Sequence, residues 1–262
     1  MRTIPSKSIY YNSVSDNYDF SRRAGPRSSR VLIDMLSPID NARVLDIGCG
    51  TGNFLVELHQ ISGKLVGLDI SAGMLAKVRA KVADAVLVEG DASLMPFSAE
   101  SFDAAYCIQV FHHISNKAKF LQEVYRILRN NGRFVIQTCS HEQLATFVVS
   151  HYFPEGFEFE RKRIPRIEEI STLLTEAGFC SIDICPCPFD GLSTESAEAY
   201  LDKRYRDGLS TFSYLTPKDI EQGCERIRQD LVSGEAIRAL KKLRQTTERI
   251  GGQVTFIKST KF

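Results

Sequence analysis

A glycine-rich turn follows the first strand-like run of the sequence. Residues 43–47 (RVLDI) are typical of a buried strand, which runs into the motif DIGCGTG at residues 46–52. Glycines at alternate positions allow a tight turn and let a ligand approach where a Cβ atom would clash. The spacing departs from the dinucleotide fingerprint G-x-G-x-x-G, because Asn53 takes the place of the third glycine. Asp46 beside a pyrophosphate is also unfavourable, so the motif favours a cationic or zwitterionic ligand.

Two more acids end the next two strand-like runs. Asp69 follows the glycine turn by about 20 residues, the distance at which an acid can hold both hydroxyls of a ribose. Asp91 follows the third run, where a carboxylate can accept a hydrogen bond from the exocyclic amine of an adenine. A nucleoside with a positively charged tail and no phosphates is S-adenosylmethionine, which we therefore expect as the cofactor.

From residue 43 onward, short β-rich runs alternate with helical runs, which predicts βαβ units. The expected fold class is α/β: a Rossmann-like, doubly wound sheet of seven mostly parallel strands, with a helical cap inserted before the last strand. Ligands on such sheets bind outside the carboxyl ends of the strands. The helix that starts near residue 116 is expected to end at Gly132. The strands are expected at residues 43–47, 64–69, 85–88, 102–108, 134–138, 179–184 and 253–257.

Motifs across residues 40–140 resemble, in order, those of the class I S-adenosylmethionine-dependent methyltransferases. They read VLDIGCGTGNF, GLDIS, EGDASLMPFSAESFDAAYC, FHHI and LQEVYRILRNNGRFVI. The most similar branch is that of ubiquinone and menaquinone biosynthesis. Tyr11, Tyr18, Asp19 and Arg22 approximate the N-terminal pattern with which that branch covers its cofactor.

The resemblance implies which residues hold S-adenosylmethionine. The glycine turn is expected at the methionine end, Asp69 at the ribose and Asp91 at the adenine, while Ile108 borders the methionyl group. The full set of expected cofactor-binding residues is Tyr18, Arg22, Asp46, Gly48, Cys49, Gly50, Asp69, Ile70, Asp91, Ala92 and Ile108.

The domain organisation follows from the same motifs. Residues 1–262 are expected to form a single methyltransferase domain. Within it we expect an N-terminal lid over the cofactor, a cofactor-binding core, a loop or lid for the substrate and a helical cap insert. Their ranges are 1–30, 40–140, 141–165 and 190–248.

His112 and His113 are the candidate catalytic residues, because they follow the fourth strand on the side expected to face the methyl group. A general base adds about 10²–10⁴-fold to a rate, but only where the acceptor must lose a proton. The alternative is that these histidines hydrogen-bond the loop or shape the cofactor pocket. Gln109 is a further candidate contact for cofactor or acceptor. The basic cluster at residues 161–166 can bind a carboxylate or phosphate on the acceptor.

Cysteine patterns leave other acceptors open. Cys139 lies in a TCS motif that resembles one in RNA cytosine-5 methyltransferases, but residues 107–109 lack the Pro-Cys pair of that family. Three cysteines near the sixth strand suggest a metalloid or thiol acceptor as another alternative: Cys180, Cys185 and Cys187. Structural zinc prefers four ligands in two pairs, and this C-x-C motif lacks the second pair of ligands. No metal site is therefore expected. The expected function is methyl transfer to a small molecule; the alternatives are an RNA (cytosine-type) methyltransferase, a metalloid or thiol methyltransferase and a non-catalytic cofactor-binding regulator.

The amino-acid composition limits the classes of partner that this protein is expected to bind. The chain carries 33 Lys and Arg against 32 Asp and Glu, a net charge of +1, which argues against a dedicated nucleic-acid binder. No run approaches the roughly 18 apolar residues of a membrane span, and no apolar segment of signal-peptide type is present near residue 1. We therefore expect a small-molecule substrate, no nucleic-acid partner, no membrane span, reduced cysteines and a cytoplasmic location. The sequence does not predict an oligomeric state.

Overall fold

The computed structural model describes residues 15, 17–59, 61–62, 64–188, 190 and 196–262. Its strands are β1 (Val44–Ile47), β2 (Leu65–Asp69), β3 (Val86–Glu89), β4 (Phe102–Ile108), β5 (Leu128–Thr138), β6 (Phe179–Cys187) and β7 (Val254–Lys261). They form one sheet in the order β3-β2-β1-β4-β5-β7-β6. The pairs from β3 to β5 are parallel, and β7 runs antiparallel to β5 and β6. This confirms the predicted fold class.

Helices cover both faces of the sheet. One face is covered by the helices Pro26–Leu36, Asn53–His59 and Ala72–Lys81, and the other by the helices Lys117–Ile127 and Ile167–Glu176. Because both faces are covered, every residue of β1 and β2 is buried, as continuous apolar strand sequences predict. The helices are α1 (Pro26–Leu36), α2 (Asn53–His59), α3 (Ala72–Lys81), α4 (Lys117–Ile127), α5 (His141–Leu144), α6 (Val148–Tyr152), α7 (Pro154–Arg163), α8 (Ile167–Glu176), α9 (Lys203–Asp207), α10 (Pro217–Ser233) and α11 (Glu235–Arg249).

The predicted end of the helix at Gly132 is wrong. Helix α4 ends at Ile127, and β5 begins at the next residue, Leu128, which pairs with Phe102. Residues 129–132 then form a bulge in the strand, where Arg129 donates to the Asp103 carboxylate at 2.6 Å. A Cβ atom at position 132 would stand 2.7 Å from the carbonyl oxygen of Arg129. The glycine is therefore required by the bulge and does not cap the helix.

The segment 141–165, expected as a loop or lid, contains α5, α6 and α7. It packs against the segment between β6 and β7, where α9, α10, α11 and the 3₁₀ helices Ala197–Leu201 and Ser210–Ser213 lie. One apolar cluster joins the two segments. Its buried members are Val148, Tyr152, Phe153, Ala197, Tyr200, Tyr205, Leu209, Phe212, Leu215, Cys224 and Ile227.

Helix α10 begins where the sequence predicts a start. Thr216 Oγ1 accepts a hydrogen bond from the backbone N–H of Asp219, whose carboxylate accepts one from the backbone N–H of Thr216 at 2.8 Å. Pro217 occupies the first turn, where its missing N–H costs nothing. Among the described residues, no helix is long and apolar enough to cross a membrane.

Gly223 of α10 faces the ring of Phe153, the centre of the cluster. A Cβ atom on Gly223 would stand 2.2 Å from the Phe153 Cε1, and this ring is itself wedged against Phe212 at a centroid distance of 4.9 Å. We expect Gly223→Ala to lower the free energy of unfolding by about 1–3 kcal/mol through overpacking. That cost exceeds the gain of up to about 1 kcal/mol in helix propensity. Urea denaturation measures the difference, with Gln222→Ala on the exposed side of α10 as control. A Gly223→Ala protein as stable as the wild type would contradict this packing.

Candidate active site

The glycine turn after β1 forms the floor of the site. Gly48 and Gly50 have positive φ angles of 71° and 52°, which side chains with a Cβ atom rarely adopt. A Cβ atom on Gly48 would stand 2.6 Å from the Val110 side chain, so this position has no room for one. A Cβ atom on Gly50 would instead project into open space 3.9 Å from the ring of Tyr18. The turn therefore leaves a cradle for a ligand above Gly50.

Asp69 connects this turn to the end of β2. Its Oδ2 accepts a hydrogen bond from the Gly50 N–H at 2.8 Å, and its Oδ1 accepts one from the Ser71 N–H at 2.9 Å. Burial raises the pKa of Asp69, and hydrogen bonds from the backbone N–H groups of Ser71, Gly50 and Ile70 oppose that rise. The carboxylate is thus held in one orientation by the glycine turn and by the start of α3.

Asp46 lies beneath the turn and is only 3% exposed. Burial raises its pKa to about 8, and the charge of Asp69 acts in the same direction, whereas the hydroxyl of Tyr106 lowers it. A cationic group bound above Asp46 would stabilise the ionised form and reverse this rise. The acid is therefore suited to a positively charged ligand.

The N-terminal segment closes the site from above. Tyr18 and Arg22 reach the cavity from the helical residues 17–21 and their end. Asp19 holds this segment down: its carboxylate accepts a hydrogen bond from Thr51 Oγ1 in the glycine turn and pairs with Lys81 Nζ at 2.7 Å. Tyr11 lies outside the described residues, as do the rest of residues 1–14 and residue 16.

One cavity at the carboxyl ends of β1, β2 and β4 brings most of the predicted site residues together. Asp91 lies at its exposed rim, where Oδ1 accepts hydrogen bonds from the Ser93 N–H and Oγ at 2.8 and 2.6 Å. Asp46 and Cys49 line a smaller adjoining cavity beneath the turn. The predicted residues lining the main cavity are Tyr18, Arg22, Gly48, Gly50, Asp69, Ile70, Asp91, Ala92, Ile108, His112 and His113.

A second cavity lies beside the first, under α6, α7 and the 3₁₀ helix Ser210–Ser213; we call it the acceptor-side cavity. The main cavity and the acceptor-side cavity share four lining residues, Arg22, Gln109, His112 and Ser210. Arg22 also lines the small cavity beneath the turn. The remaining walls are largely apolar and aromatic. They consist of Cys139, Leu144, Phe147, Val149, Ser150, Gly156, Phe157, Glu160, Arg163, Ile164, Tyr200, Leu209 and Thr211.

The two candidate catalytic histidines stand at the boundary between these cavities. Their rings pack at a centroid distance of 4.2 Å. His112 is 8% exposed, and its Nδ1 is buried with no hydrogen-bond partner among the described residues. Burial lowers the pKa of His112 well below its usual value, and the neighbouring His113 and Arg163 add to this effect. His112 is therefore neutral at physiological pH.

Gln109 has an unusual backbone conformation at the end of β4. Its φ of 56° lies in the left-handed region, which is rare outside glycine and is frequent at functional sites. Its side-chain Nε2 lies 3.4 Å from Oε1 of Gln137, and it lines all three cavities. This conformation directs the chain into the 3₁₀ helix Phe111–His113 that carries both histidines.

Several wall residues were not anticipated from the sequence. Gly208 and Ser210 reach the main cavity from the segment before β7, and Glu160 and Thr211 line the acceptor-side cavity. No local motif marks them, because their position depends on how the two helical segments pack on each other. Arg163, by contrast, belongs to the basic cluster recognised in the sequence.

The cysteines lie apart from a metal-binding arrangement. Among the described residues, no group of three or more His, Cys, Asp or Glu side chains is placed to hold a metal ion. Cys180, Cys185 and Cys187 lie on β6 and line neither the main nor the acceptor-side cavity. Cys139 does line the acceptor-side cavity, but it is 3% exposed and burial raises its pKa to about 12.

Comparison with known proteins agrees with this geometry. A family described as "Methyltransferase domain" matches residues 45–136. Demethylmenaquinone methyltransferase of Roseiflexus castenholzii is 29% identical over 173 residues, which cover 57% of this chain and 73% of that protein. The Renibacterium salmoninarum protein of the same name is 28% identical over 142 residues, 52% of this chain and 60% of its own length. A solved structure, a putative methyltransferase of an antibiotic biosynthesis pathway from Anabaena variabilis, is 26% identical with a TM-score of 0.75, covering 88% of this chain and 96% of that one.

The sheet and the glycine turn with its acids define a Rossmann-like domain that binds a nucleoside cofactor. The chain carries a methyltransferase domain at residues 45–136 and is similar to S-adenosylmethionine-dependent methyltransferases. The site fits that cofactor: the cradle above Gly50 is open, and among the described residues Asp46 forms no ion pair and the buried Arg22 Nε has no hydrogen-bond partner.

Asp69→Ala is expected to weaken binding of S-adenosylmethionine about 10- to 100-fold. The change removes an acceptor at the ribose position and frees the N–H groups of Gly50 and Ser71, and hydrogen bonds to a charged group are worth roughly 1.5–3 kcal/mol. Isothermal titration calorimetry measures the affinity, with Asp34→Ala on the exposed side of α1 as the control. Unchanged affinity would rule out Asp69 as a cofactor-binding residue.

The raised pKa of Asp46 predicts a pH-dependent stability. Its pKa is about 8 in the folded protein against 3.8 for the ordinary group, so the folded state favours the protonated carboxyl. The contribution of Asp46 to the free energy of unfolding is therefore fully present below pH 3.8 and is lost as the pH rises to about 8. In the absence of cofactor, Asp46→Asn should therefore be more stable than wild type near pH 8. The difference should shrink as the pH falls toward 5. Thermal unfolding across that range measures it, and a difference independent of pH would show that Asp46 is ionised throughout.

Proposed function

We propose that this protein transfers the methyl group of S-adenosylmethionine to a small-molecule acceptor that binds in the acceptor-side cavity. The observation that carries the proposal is the second cavity itself, which adjoins the cofactor cavity and shares Gln109 and His112 with it. Its apolar and aromatic walls suit an organic molecule of limited size. Relatives named for demethylmenaquinone and for a sterol support an acceptor of this class.

Methyl transfer depends mainly on alignment of the acceptor atom with the methyl group of the cofactor. Bound S-adenosylmethionine supplies an activated methyl group on a sulfonium, which an acceptor can displace in line. Holding two reactants in such geometry is worth up to roughly 7–11 kcal/mol. In the proposed arrangement Asp69 and the glycine turn hold the cofactor, Asp46 faces its cationic end, and the walls of the acceptor-side cavity orient the acceptor and exclude water.

His112 is the proposed base for an acceptor that must lose a proton. Its imidazole is neutral because burial lowers its pKa, and it borders both cavities. A neutral imidazole can accept the proton of an acceptor O–H or N–H group as the methyl group is transferred.

The other acceptor classes have less support. A cytosine-5 mechanism needs a thiolate, and burial raises the pKa of Cys139 to about 12, so its thiol stays protonated at neutral pH. A metalloid or thiol acceptor would favour paired thiols beside the methyl group, and of the three cysteines on β6 none lines the acceptor-side cavity. A regulator without catalysis would not need a second cavity.

All seven cysteines are free thiols, which supports a reducing compartment such as the cytoplasm.

Methyl-labelled S-adenosylmethionine, incubated with the purified protein and a fractionated cell extract, tests the proposed function. The expected result is label in the small-molecule fraction, reduced with Asp69→Ala when the cofactor is limiting. Label in RNA or protein would overturn the acceptor class but keep the methyltransferase activity. Absence of label from every fraction, with cofactor binding intact, would favour the regulator.

His112→Gln is expected to lower kcat about 10²-fold or more while leaving cofactor affinity unchanged. Glutamine retains a polar side chain but cannot take up a proton, and a positioned base contributes roughly 10²–10⁴-fold. Steady-state kinetics with the identified acceptor measures the effect, and His151→Gln, an exposed histidine of α6, is the control. Full activity of His112→Gln would remove His112 as a base.

A further inference from the structure

A buried chain of hydrogen bonds links the acceptor-side cavity to His113. Thr211 Oγ1 donates to Glu160 Oε1 at 2.9 Å, and the guanidinium of Arg163 donates through Nε (3.1 Å) and Nη2 to Glu160 Oε2. The remaining arm, Nη1 of Arg163, lies 2.8 Å from Nδ1 of His113. The side chains of Glu160 and Arg163 are only 7% and 15% exposed. The chain of contacts therefore connects α7, the segment before β7 and the 3₁₀ helix after β4.

The chemistry of the guanidinium settles the protonation of His113. Arginine has five N–H donors and no acceptor, so Nδ1 of His113 must accept the hydrogen bond from Arg163. A neutral ring that accepts at Nδ1 carries its proton at Nε2. Protonation of Nδ1 would place an N–H against the N–H of Arg163 and a second positive charge beside the guanidinium.

The surroundings hold Arg163 in this orientation. Its guanidinium lies 5.8 and 5.4 Å from the ring centroids of Phe159 and Tyr214, which stack on each other at 3.8 Å. Glu160 neutralises Arg163 from the side away from the histidine. The neighbouring His112 is influenced by two further cations, Arg22 and Lys117, which oppose its protonation.

We propose that Arg163, oriented by Glu160, is a positioning residue that fixes His113 as the neutral tautomer with its proton on Nε2. This inference rests on the proposed function for its role in catalysis, but not for the tautomer. Because Nδ1 is occupied by Arg163 and Nε2 already carries a proton, His113 has no lone pair with which to act as a base. Of the two candidate histidines, His112 alone keeps that role, and His113 presents a fixed ring against it.

Nitrogen-15 NMR of the histidine-labelled wild-type protein tests the tautomer directly. The expected spectrum shows His113 with an unprotonated Nδ1 and a protonated Nε2, unchanged between about pH 5.5 and pH 8, the range in which an ordinary histidine titrates. A proton on Nδ1, or a ring that becomes doubly protonated in this range, would overturn the proposal. The His113 resonances of the wild-type protein are assigned by comparison with the spectrum of His113→Gln. The measurement therefore does not depend on whether an Arg163 variant folds.

Arg163→Met tests the positioning role. Loss of the donor should let His113 exchange between tautomers and lower kcat about 10- to 100-fold, the range seen when partners that orient metal-ligating histidines are removed, with the affinity for S-adenosylmethionine unchanged. Arg163→Lys, which keeps an N–H donor, should restore part of the activity and the Nε2–H tautomer. The matched control is Arg161→Met: Arg161 makes the same i,i+3 ion pair with Glu158 on α7, but its side chain is 43% exposed and lines none of the three cavities.

The outcomes separate this inference from the proposed function. A folded Arg163→Met protein with altered tautomer and unchanged kcat would overturn the positioning role. An expected tautomer together with absence of methyl transfer to every acceptor tested would refute the proposed function and still support the fixing of His113 by Arg163. Equal losses of activity in Arg163→Met and Arg161→Met would mean that both changes act through the stability of α7, which would also overturn the proposal.

Discussion

The carboxylate of Asp69 is the contact on which the cofactor side of the molecule depends. It ends β2, yet it accepts hydrogen bonds from Gly50 in the turn after β1 and from Ser71 at the start of α3. A single buried side chain therefore sets the spacing between two neighbouring strand ends and a helix. This arrangement also requires glycine at position 48, since a Cβ atom there would stand 2.6 Å from the Val110 side chain. The floor of the cavity is rigid because its hydrogen bonds and its sterics specify the same backbone.

Charge is distributed unevenly between the two sides of the site. Asp46 and Asp69 are buried on the floor of the cofactor side, where burial raises the pKa of both acids. The cation Arg163 lines the acceptor-side cavity alone, whereas Arg22 lines all three cavities. This distribution suits a cofactor that carries its positive charge at the floor, and it keeps the nearby His112 neutral. The two buried acids and the neutral imidazole of His112 thus lie in different parts of the site.

The acceptor-side cavity exists because two distant segments share one aromatic cluster. Tyr152 and Phe153 come from residues 141–165, whereas Tyr200 and Phe212 come from the segment before β7. Their packing brings Ser210 and Thr211 over the strand ends. Phe153 is in turn close-packed against Gly223 of α10. The shape of the cavity is therefore set by the packing of helices outside the methyltransferase core, and residues 45–136 alone do not form it.

The sequence by itself determined the parts of this protein that depend on neighbours along the chain. The seven strands, the turn at Gly48 and Gly50 and the start of α10 were predictable, because strand periodicity, turn chemistry and helix capping act over a few residues. Gly132 shows where such local rules fail: it follows a helix as a stop signal would, but pairing of Leu128 with Phe102 had already begun β5. Tertiary structure alone decided the acceptor side. His113 and Arg163 are 50 residues apart, and Glu160 and Thr211 are 51 apart. Which side chains meet over such distances depends on the packing of whole helices, and that packing also decided which nitrogen of His113 accepts a hydrogen bond.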